Sequence, residues 1–305
     1  MGISWNLRSV RAQQPHIHRC VSMHEINERL GSELQRKYVT PAQWFRVADL
    51  YLKLSHGNIS PINIGNVHSE LLHLQNCSRD LAEFCSGRLF VYFGVGVGDT
   101  EMALADVVTQ ARHLWEGVLV DINPVFLKMF IRSLENRALE DGQNRFSYVA
   151  VQDLFEDLKK TAISPNNSQS NGRLFVCLGS TIGNFEASDE IWTLWTRLAE
   201  KGDRALVGYQ TNKYLPIVFE KYRSHSGYRA LIGNFLSAEE RQTIEWKLNR
   251  PSSSIEAWYG DVQIFRTRKF THEEVKIGAA RHGWTEEFAR LDSRENVCLQ
   301  AFVKT

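Results

Sequence analysis

Between residues 88 and 210, short apolar runs alternate with stretches of helical period, and this alternation leaves few folds open. The runs are LFVYF at 89–93, GVLVD at 117–121, FSYVAV at 146–151, LFVCL at 174–178 and ALVGY at 205–209. Each is too short for a buried helix and too uniformly apolar for a strand with one wet face. They read as strands covered on both sides. Helical stretches are expected over 100–109, over 123–136 with Pro124 in its first turn, and over 190–199. Strand and helix in turn imply an α/β fold, a mainly parallel sheet with helices on both faces.

Outside that core the pattern changes. Ile26, Leu30 and Leu34 give a helical stripe over 24–37, and a second helix is expected over 41–54, with Thr40 as N-cap ahead of Pro41. Residues 56–61 read as a turn and 165–172 as a polar surface loop. Helical character is expected over 213–250, followed by two antiparallel strands, 255–259 and 262–267, around the Gly260-Asp261 turn. A last helix over 271–282 leads to a closing strand over 297–303. The chain shows no internal repeat.

Composition narrows the function classes. A net charge of +1 in 305 residues argues against a broad phosphate-neutralising face, so nucleic acid is not an expected partner. Cys20, Cys77, Cys85, Cys177 and Cys298 are scattered, without the paired spacing of a zinc site. His16 and His18 near Cys20 lack a second ligand pair, so no metal is expected. The start MGISWN departs from a myristoylation pattern at Asn6, and no apolar run suits a signal peptide or a membrane span. A cytoplasmic protein with reduced thiols is expected, without a membrane partner. Oligomeric state leaves no mark on the sequence.

The string FGVGVGDTE at 93–101 follows the first strand and opens a helix. Glycines there allow tight turns and close approach of a ligand to backbone. A dinucleotide fingerprint requires glycine at position 99, which is Asp; the glycines fall instead at Gly94, Gly96 and Gly98. That spacing is more usual where methyltransferases hold the methionine part of S-adenosylmethionine, although a purely structural turn has the same look. The second strand ends in Asp121, 23 residues beyond Gly98, where a carboxylate accepts from ribose hydroxyls. Asp121 and Asn123 are also both candidates for capping the next helix. After the third strand, Asp153 is placed to accept from an adenine amino group while Leu154 packs on the ring.

The fourth strand runs into LGSTIGNF at 178–185. This string resembles the signature of the histidine-specific Nα-methyltransferase family, whose members include the histidine trimethylating enzyme of ergothioneine biosynthesis and fungal enzymes acting on a prenylated tryptophan. The likeness runs from about residue 40 to the end and is strongest over 89–210. It implies a Rossmann-type class I methyltransferase sheet with a smaller α+β substrate-binding domain. On that division, 1–70 is an N-terminal helical contribution to the substrate domain, 71–212 the core, 213–268 an inserted substrate-binding segment and 269–305 a return to the core sheet. The implied cofactor contacts are Gly94, Gly96, Gly98, Thr100, Asp121, Asn123, Asp153, Leu154, Gly179 and Ser180. Asn184 and Thr181 would orient the reacting amine, and Asn184, Tyr222, Ala257, Phe265 and Thr267 would line the acceptor site.

The departures point away from histidine. The acidic residue expected just before the glycine loop is replaced by the pair Tyr92-Phe93, and a family lysine falls at Thr100. The glutamate that recognises imidazole falls at Phe265, with Thr267 two residues on and Ala257 in place of a methionine. A buried imidazole would lose its polar partner there. The sequence thus describes an S-adenosylmethionine-dependent N-methyltransferase for a small amino acid or an amine derived from one. A guanidine acceptor stays open, with Glu256 or Asp261 as the base its high pKa would demand. Trp258, Tyr259 and Phe265 would then stack on it. A non-catalytic cofactor-binding protein of the same fold and an NAD-dependent oxidoreductase are the other classes, the latter opposed by Asp99.

Overall fold

The computed structural model describes residues 8–9, 17–19, 67–96, 98–111, 114–141, 146–179, 181–185, 189–233, 236–294 and 296–305. The helices expected over 24–37 and 41–54, the turn at 56–61, Cys20 and Ser180 lie outside them.

The five apolar runs form parallel strands: β3 (Leu89–Phe93), β4 (Trp115–Asp121), β5 (Phe146–Gln152), β6 (Arg173–Cys177) and β7 (Arg204–Gln210). With β11 (Trp284–Leu291) and β12 (Val297–Lys304) they run in the order β5-β4-β3-β6-β7-β12-β11, and β12 is antiparallel to both its neighbours. Two short N-terminal strands, β1 (Arg8–Ser9) and β2 (Ile17–Arg19), pair with β5. This is the expected Rossmann-type class I methyltransferase sheet.

Alternation along the strands divides the core in two. Phe90 and Tyr92 face one way, onto α1 (Val67–Asn76), α2 (Ser78–Cys85), α3 (Asp99–Gln110) and α4 (Pro124–Asp141). Leu89, Val91 and Phe93 face the other, onto α5 (Glu190–Leu198) and α8 (His272–Arg281). Helix α5 sits there because Ile191, Leu194, Trp195 and Leu198 fall on one stripe, all buried. Helix α8 starts in a full capping box, Thr271 with Glu274.

A second sheet stands apart in sequence. Strands β8 (Glu245–Asn249), β9 (Ser254–Tyr259) and β10 (Val262–Arg268) pair antiparallel in the order β10-β9-β8. With α6 (Leu215–Ser224) and α7 (Ser226–Ile232) they enclose a third, smaller core. The chain leaves β7 at Gln210 and returns at Phe270, where a bridge joins Thr211 to Phe270. Two expectations are corrected here. Helical character does not extend over 213–250: beyond α7 a single short 3-10 turn, Glu240–Thr243, follows among the described residues, and Glu245–Asn249 is a strand whose alternate residues are half-buried against the cluster of rings. Strand β11 falls where no element was expected, because an edge strand with one wet face carries Thr285, Glu286 and Glu287 in its first turns of sequence. No helix among the described residues is long and apolar enough to cross a membrane.

Candidate active site

Strand order reverses between β3 and β6, and the C-terminal ends of the parallel strands around that point form the crevice where such sheets bind ligands. The glycine loop leaves β3 there. Gly94, Gly96 and Gly98 have φ of 78°, 50° and 87°, the left-handed region that side chains resist. At Gly98 a Cβ would also lie 2.5 Å from the Phe130 ring, so helices α3 and α4 pack closely only with glycine present. A Cβ at Gly96 or at Gly179 (φ 66°) would meet nothing within 4 Å among the described residues.

Asp121 and Asn123 divide the work that sequence left undecided between them. The Asn123 side chain caps α4 by accepting from Val125 N at 2.9 Å. Asp121 accepts from Asn123 N at 2.8 Å and from Gly96 N at 3.3 Å, tying the strand end to the glycine loop. Asp153 accepts from Leu154 N at 2.9 Å, and both residues are buried. Thr100 turns inward and donates to Glu101 at 2.9 Å. Tyr92 and Phe93 point into opposite cores, so no acid stands at the loop's entrance.

Two carboxylates missed by sequence reasoning lie behind the loop. Glu70 on α1 is buried and accepts from Gly179 N at 3.0 Å; its second oxygen has no partner among the described residues. Glu101 is buried in the first turn of α3. Burial raises Glu70 to about 7, Glu101 to about 8 and Asp121 to about 7, and Glu70 adds repulsion at Glu101. Among the described residues no Lys, Arg or His pairs with any of the three. Gln152, at the end of β5, also keeps a buried amide oxygen without a partner among the described residues. Surplus acceptors and uncompensated acids call for a ligand rich in donors and positive charge. S-adenosylmethionine, with its sulfonium, ammonium, ribose hydroxyls and adenine amine, meets that demand.

The LGSTIGN turn connects this crevice to the second sheet. Thr181 to Asn184 form a short 3-10 turn after β6. A Cβ on Gly94 would lie 3.2 Å from the Thr181 methyl, so the turn sits against the glycine loop. One on Gly183 would lie 2.6 Å from the Arg268 carbonyl and 3.1 Å from Thr267 Oγ1, so its other side sits against β10. Phe155 and Phe185 stack at 6.2 Å and close the space beneath.

On β10, Thr267 is buried and accepts from Lys269 at 3.2 Å. Lys269 is 1% exposed, and its ammonium lies over the Tyr222 ring at 5.5 Å. Tyr222, Tyr228, Trp246 and Phe265 make an aromatic cluster, with centroids 4.6–6.1 Å apart. Ala257, opposite Phe265 in the register, is wholly buried in the same core. Glu256 accepts from Asn249, Ser254 and Trp258, which occupies it within the sheet. Asp261 is exposed at the tip of the β9–β10 hairpin. Lys269 was missed because it ends the run Arg266-Thr-Arg-Lys269, which reads as a solvated charge cluster.

Sheet order, glycine loop and strand-end acids define a class I methyltransferase that uses S-adenosylmethionine. The sequence model for histidine-specific, S-adenosylmethionine-dependent methyltransferases matches residues 66–261, and the chain belongs to that family. No curated protein sequence matches the chain. Among solved structures it is similar to 1,6-didemethyltoxoflavin-N1-methyltransferase of Burkholderia thailandensis, at 10% identity and TM-score 0.48, with 88% of this chain and 91% of that one covered. It is also similar to magnesium protoporphyrin IX methyltransferase of Synechocystis PCC 6803, at 14% identity and TM-score 0.46, covering 84% and 94%. Both likenesses are too distant to bear on the substrate.

Proposed function

We propose that this methyltransferase acts on the nitrogen of an amino acid or an amine derived from one, and that histidine is not its acceptor. The observation that carries the reading is the position of the LGSTIGN turn, in contact with Gly94 on one side and Thr267 on the other. A methyl donor in the crevice and an acceptor beside β10 meet only across Thr181 and Asn184, both half-buried.

S-adenosylmethionine supplies a methyl group on a sulfonium, open to in-line attack by an amine lone pair. Gly94, Gly96, Gly98, Asp121, Asp153, Leu154, Gly179 and Ser180 would hold it, with Thr100 and Asn123 shaping the loop and helix behind. Asn184 and Thr181 would orient the amine. Desolvation beside positive charge keeps that amine neutral, so no strong base is needed. The segment 213–268 would supply the acceptor pocket. Phe265 sits among three aromatic rings, which gives an imidazole no polar partner. A guanidine would need a free carboxylate, and Glu256 is already held by three donors. The buried thiols of Cys77, Cys85, Cys177 and Cys298, all unpaired, suit a reducing cytoplasm.

The test is thermal unfolding with S-adenosylhomocysteine and, separately, NAD, followed by a screen of amino acids and their amines for a gain of methyl mass. Stabilisation by S-adenosylhomocysteine of about 2.7 kcal/mol at 100 times Kd, with methylation of an amine other than histidine, is the expected outcome. Methylation confined to histidine or to oxygen acceptors overturns the reading.

A further inference from the structure

We infer that Glu70, backed by Glu101, makes the methyl-donor site prefer the cation S-adenosylmethionine to its product S-adenosylhomocysteine, which has lost the sulfonium charge. This rests on the reading of the crevice between Gly94 and Gly179 as the donor site.

The surroundings of Glu70 are shaped to take a buried acid. The residue is 3% exposed and reaches from α1 to the turn after β6 and to β7. One oxygen accepts from Gly179 N at 3.0 Å. The other has no hydrogen-bond partner among the described residues and lies against Gly208 of β7. Gly208 keeps ordinary strand geometry, so its backbone does not require glycine. A Cβ there would overlap that carboxylate oxygen; the missing side chain makes the room. Glu101 stands in the first turn of α3 with only the Thr100 hydroxyl at 2.9 Å, and Glu70 repels it. A glutamine at position 70 would fill the same space and keep the bond to Gly179 at a far smaller desolvation cost. What glutamine lacks is charge.

The reaction removes one positive charge from this place. Methyl transfer breaks the carbon–sulfur bond, returns its electron pair to sulfur and carries the positive charge with the methyl group to the acceptor. Donor and product share the adenosine and the amino acid end, so Asp121 and Asp153 would meet the same groups in both. The two ligands differ at sulfur, which the cofactor contacts place beside Gly179. In a poorly screened interior a buried carboxylate acts on a charge several ångströms away.

Neighbouring groups do not cancel the acids. Asp99 adds repulsion at Glu101, and burial holds Tyr92 of β3 and the Cys177 thiol of β6 protonated. On α1 itself, His73 bonds the Arg290 carbonyl. The cations of nearby elements point elsewhere: Arg204 of β7 lies over Phe84, Arg290 of β11 pairs with Asp80 of α2, and Lys304 of β12 bonds the His282 carbonyl. With Glu70 raised to about 7 and Glu101 to about 8, a cation in the crevice lowers both. Donor binding near neutral pH therefore releases protons and tightens as pH rises.

The experiment is calorimetric titration of the full chain with S-adenosylmethionine, S-adenosylhomocysteine and sinefungin, an analogue whose amine carries charge in place of the sulfonium. The two cations should bind more tightly than S-adenosylhomocysteine at pH 7.5 and release more protons. Glu70→Gln should cut that preference about five- to tenfold by weakening the cations alone, and Glu101→Gln should cut it less. From pH 6 to pH 7.5 the preference should grow in the wild type and grow less in Glu70→Gln. Melting of both variants without ligand checks that each is folded. A preference unchanged in both variants, a parallel loss of all three ligands in Glu70→Gln, or tighter binding of S-adenosylhomocysteine by the wild type overturns the inference. Tight binding that ignores charge leaves the donor site standing while the role of Glu70 falls. No binding by any of the three brings down both.

Discussion

The crevice of the large sheet and the core of the small sheet are built from opposite materials. On the large sheet the site is made of backbone and acids: left-handed glycines, no described residue against the bare faces of Gly96 and Gly179, and the buried carboxylates of Glu70, Glu101 and Asp121. On the small sheet it is made of side chains and a base: four aromatic rings, a hydroxyl and the ammonium of Lys269. A fixed, positively charged ligand suits the first, because backbone geometry is hard to vary. On the proposed reading the acceptor contacts the second, where a substitution at Phe265 would redraw the pocket. On that reading, the contrast means that charge, more than shape, would sort donor from acceptor.

The largest effect is expected from attacking the backbone side. Gly98→Ala forces a side chain into φ 87° and against Phe130. Strain and overpacking together should cost about 3 kcal/mol, lowering Tm by roughly 6–12 °C and weakening S-adenosylhomocysteine. The pH dependence that Lys269 gives the small sheet should persist in this variant; if it disappears too, the two regions are not separable.

Next in size is a pair of opposite responses to pH. Glu101 rises from 4.5 to about 8 on folding, so its contribution to stability is full below 4.5 and is lost as pH rises through 8. Glu101→Gln should therefore raise the Tm of the ligand-free protein at pH 8 and leave it unchanged at pH 4.5. Lys269 falls from 10.5 to about 7, so its contribution is present above 10.5 and is lost as pH falls through 7. Lys269→Met should raise Tm at pH 7 and have little effect near pH 10.5. Melting curves across that range decide it; shifts of the same sign at both ends would remove the contrast. The smallest effect belongs to Thr267→Val, which deletes the hydroxyl that accepts from Lys269 and should cost about 1 kcal/mol, lowering Tm by roughly 2–4 °C. An unchanged Tm would leave Thr267 a packing residue only.

Much of the large sheet was legible because its strands are buried on both faces and announce themselves as unbroken apolar runs. The glycine loop, Asp121 and Asp153 could be placed from spacing alone, since each follows the end of such a run. The acids behind them could not. Glu70 sits on an ordinary amphipathic helix, and only the fold brings it to Gly179 across 109 positions of sequence. In the small sheet, alternation was weaker and misled the reading: Glu-Trp-Lys-Leu-Asn at 245–249 looks like the end of a helix, yet pairs as an edge strand. Lys269 was hidden by its arginine neighbours, because burial of one charge in a run of three is decided by strand direction. The Arg266 and Arg268 side chains are half-buried, whereas Lys269, just past the strand, turns into the core.

The bridge between Thr211 and Phe270 gives the molecule a hinge-free form of modularity. Asn212 N donates to the Phe270 carbonyl at 3.1 Å, so the excursion through the second sheet starts and finishes at one point on the scaffold. Lengthening or rewriting such a closed loop adds only about 0.6 kcal/mol of closure entropy per doubling, and none of it falls on the strands that stay behind. On the proposed reading, natural selection could exchange the acceptor cassette, as a key is cut anew on the same blank, with the strands of the large sheet left in place and the turn at Gly183, packed against Arg268, the seam that must still fit.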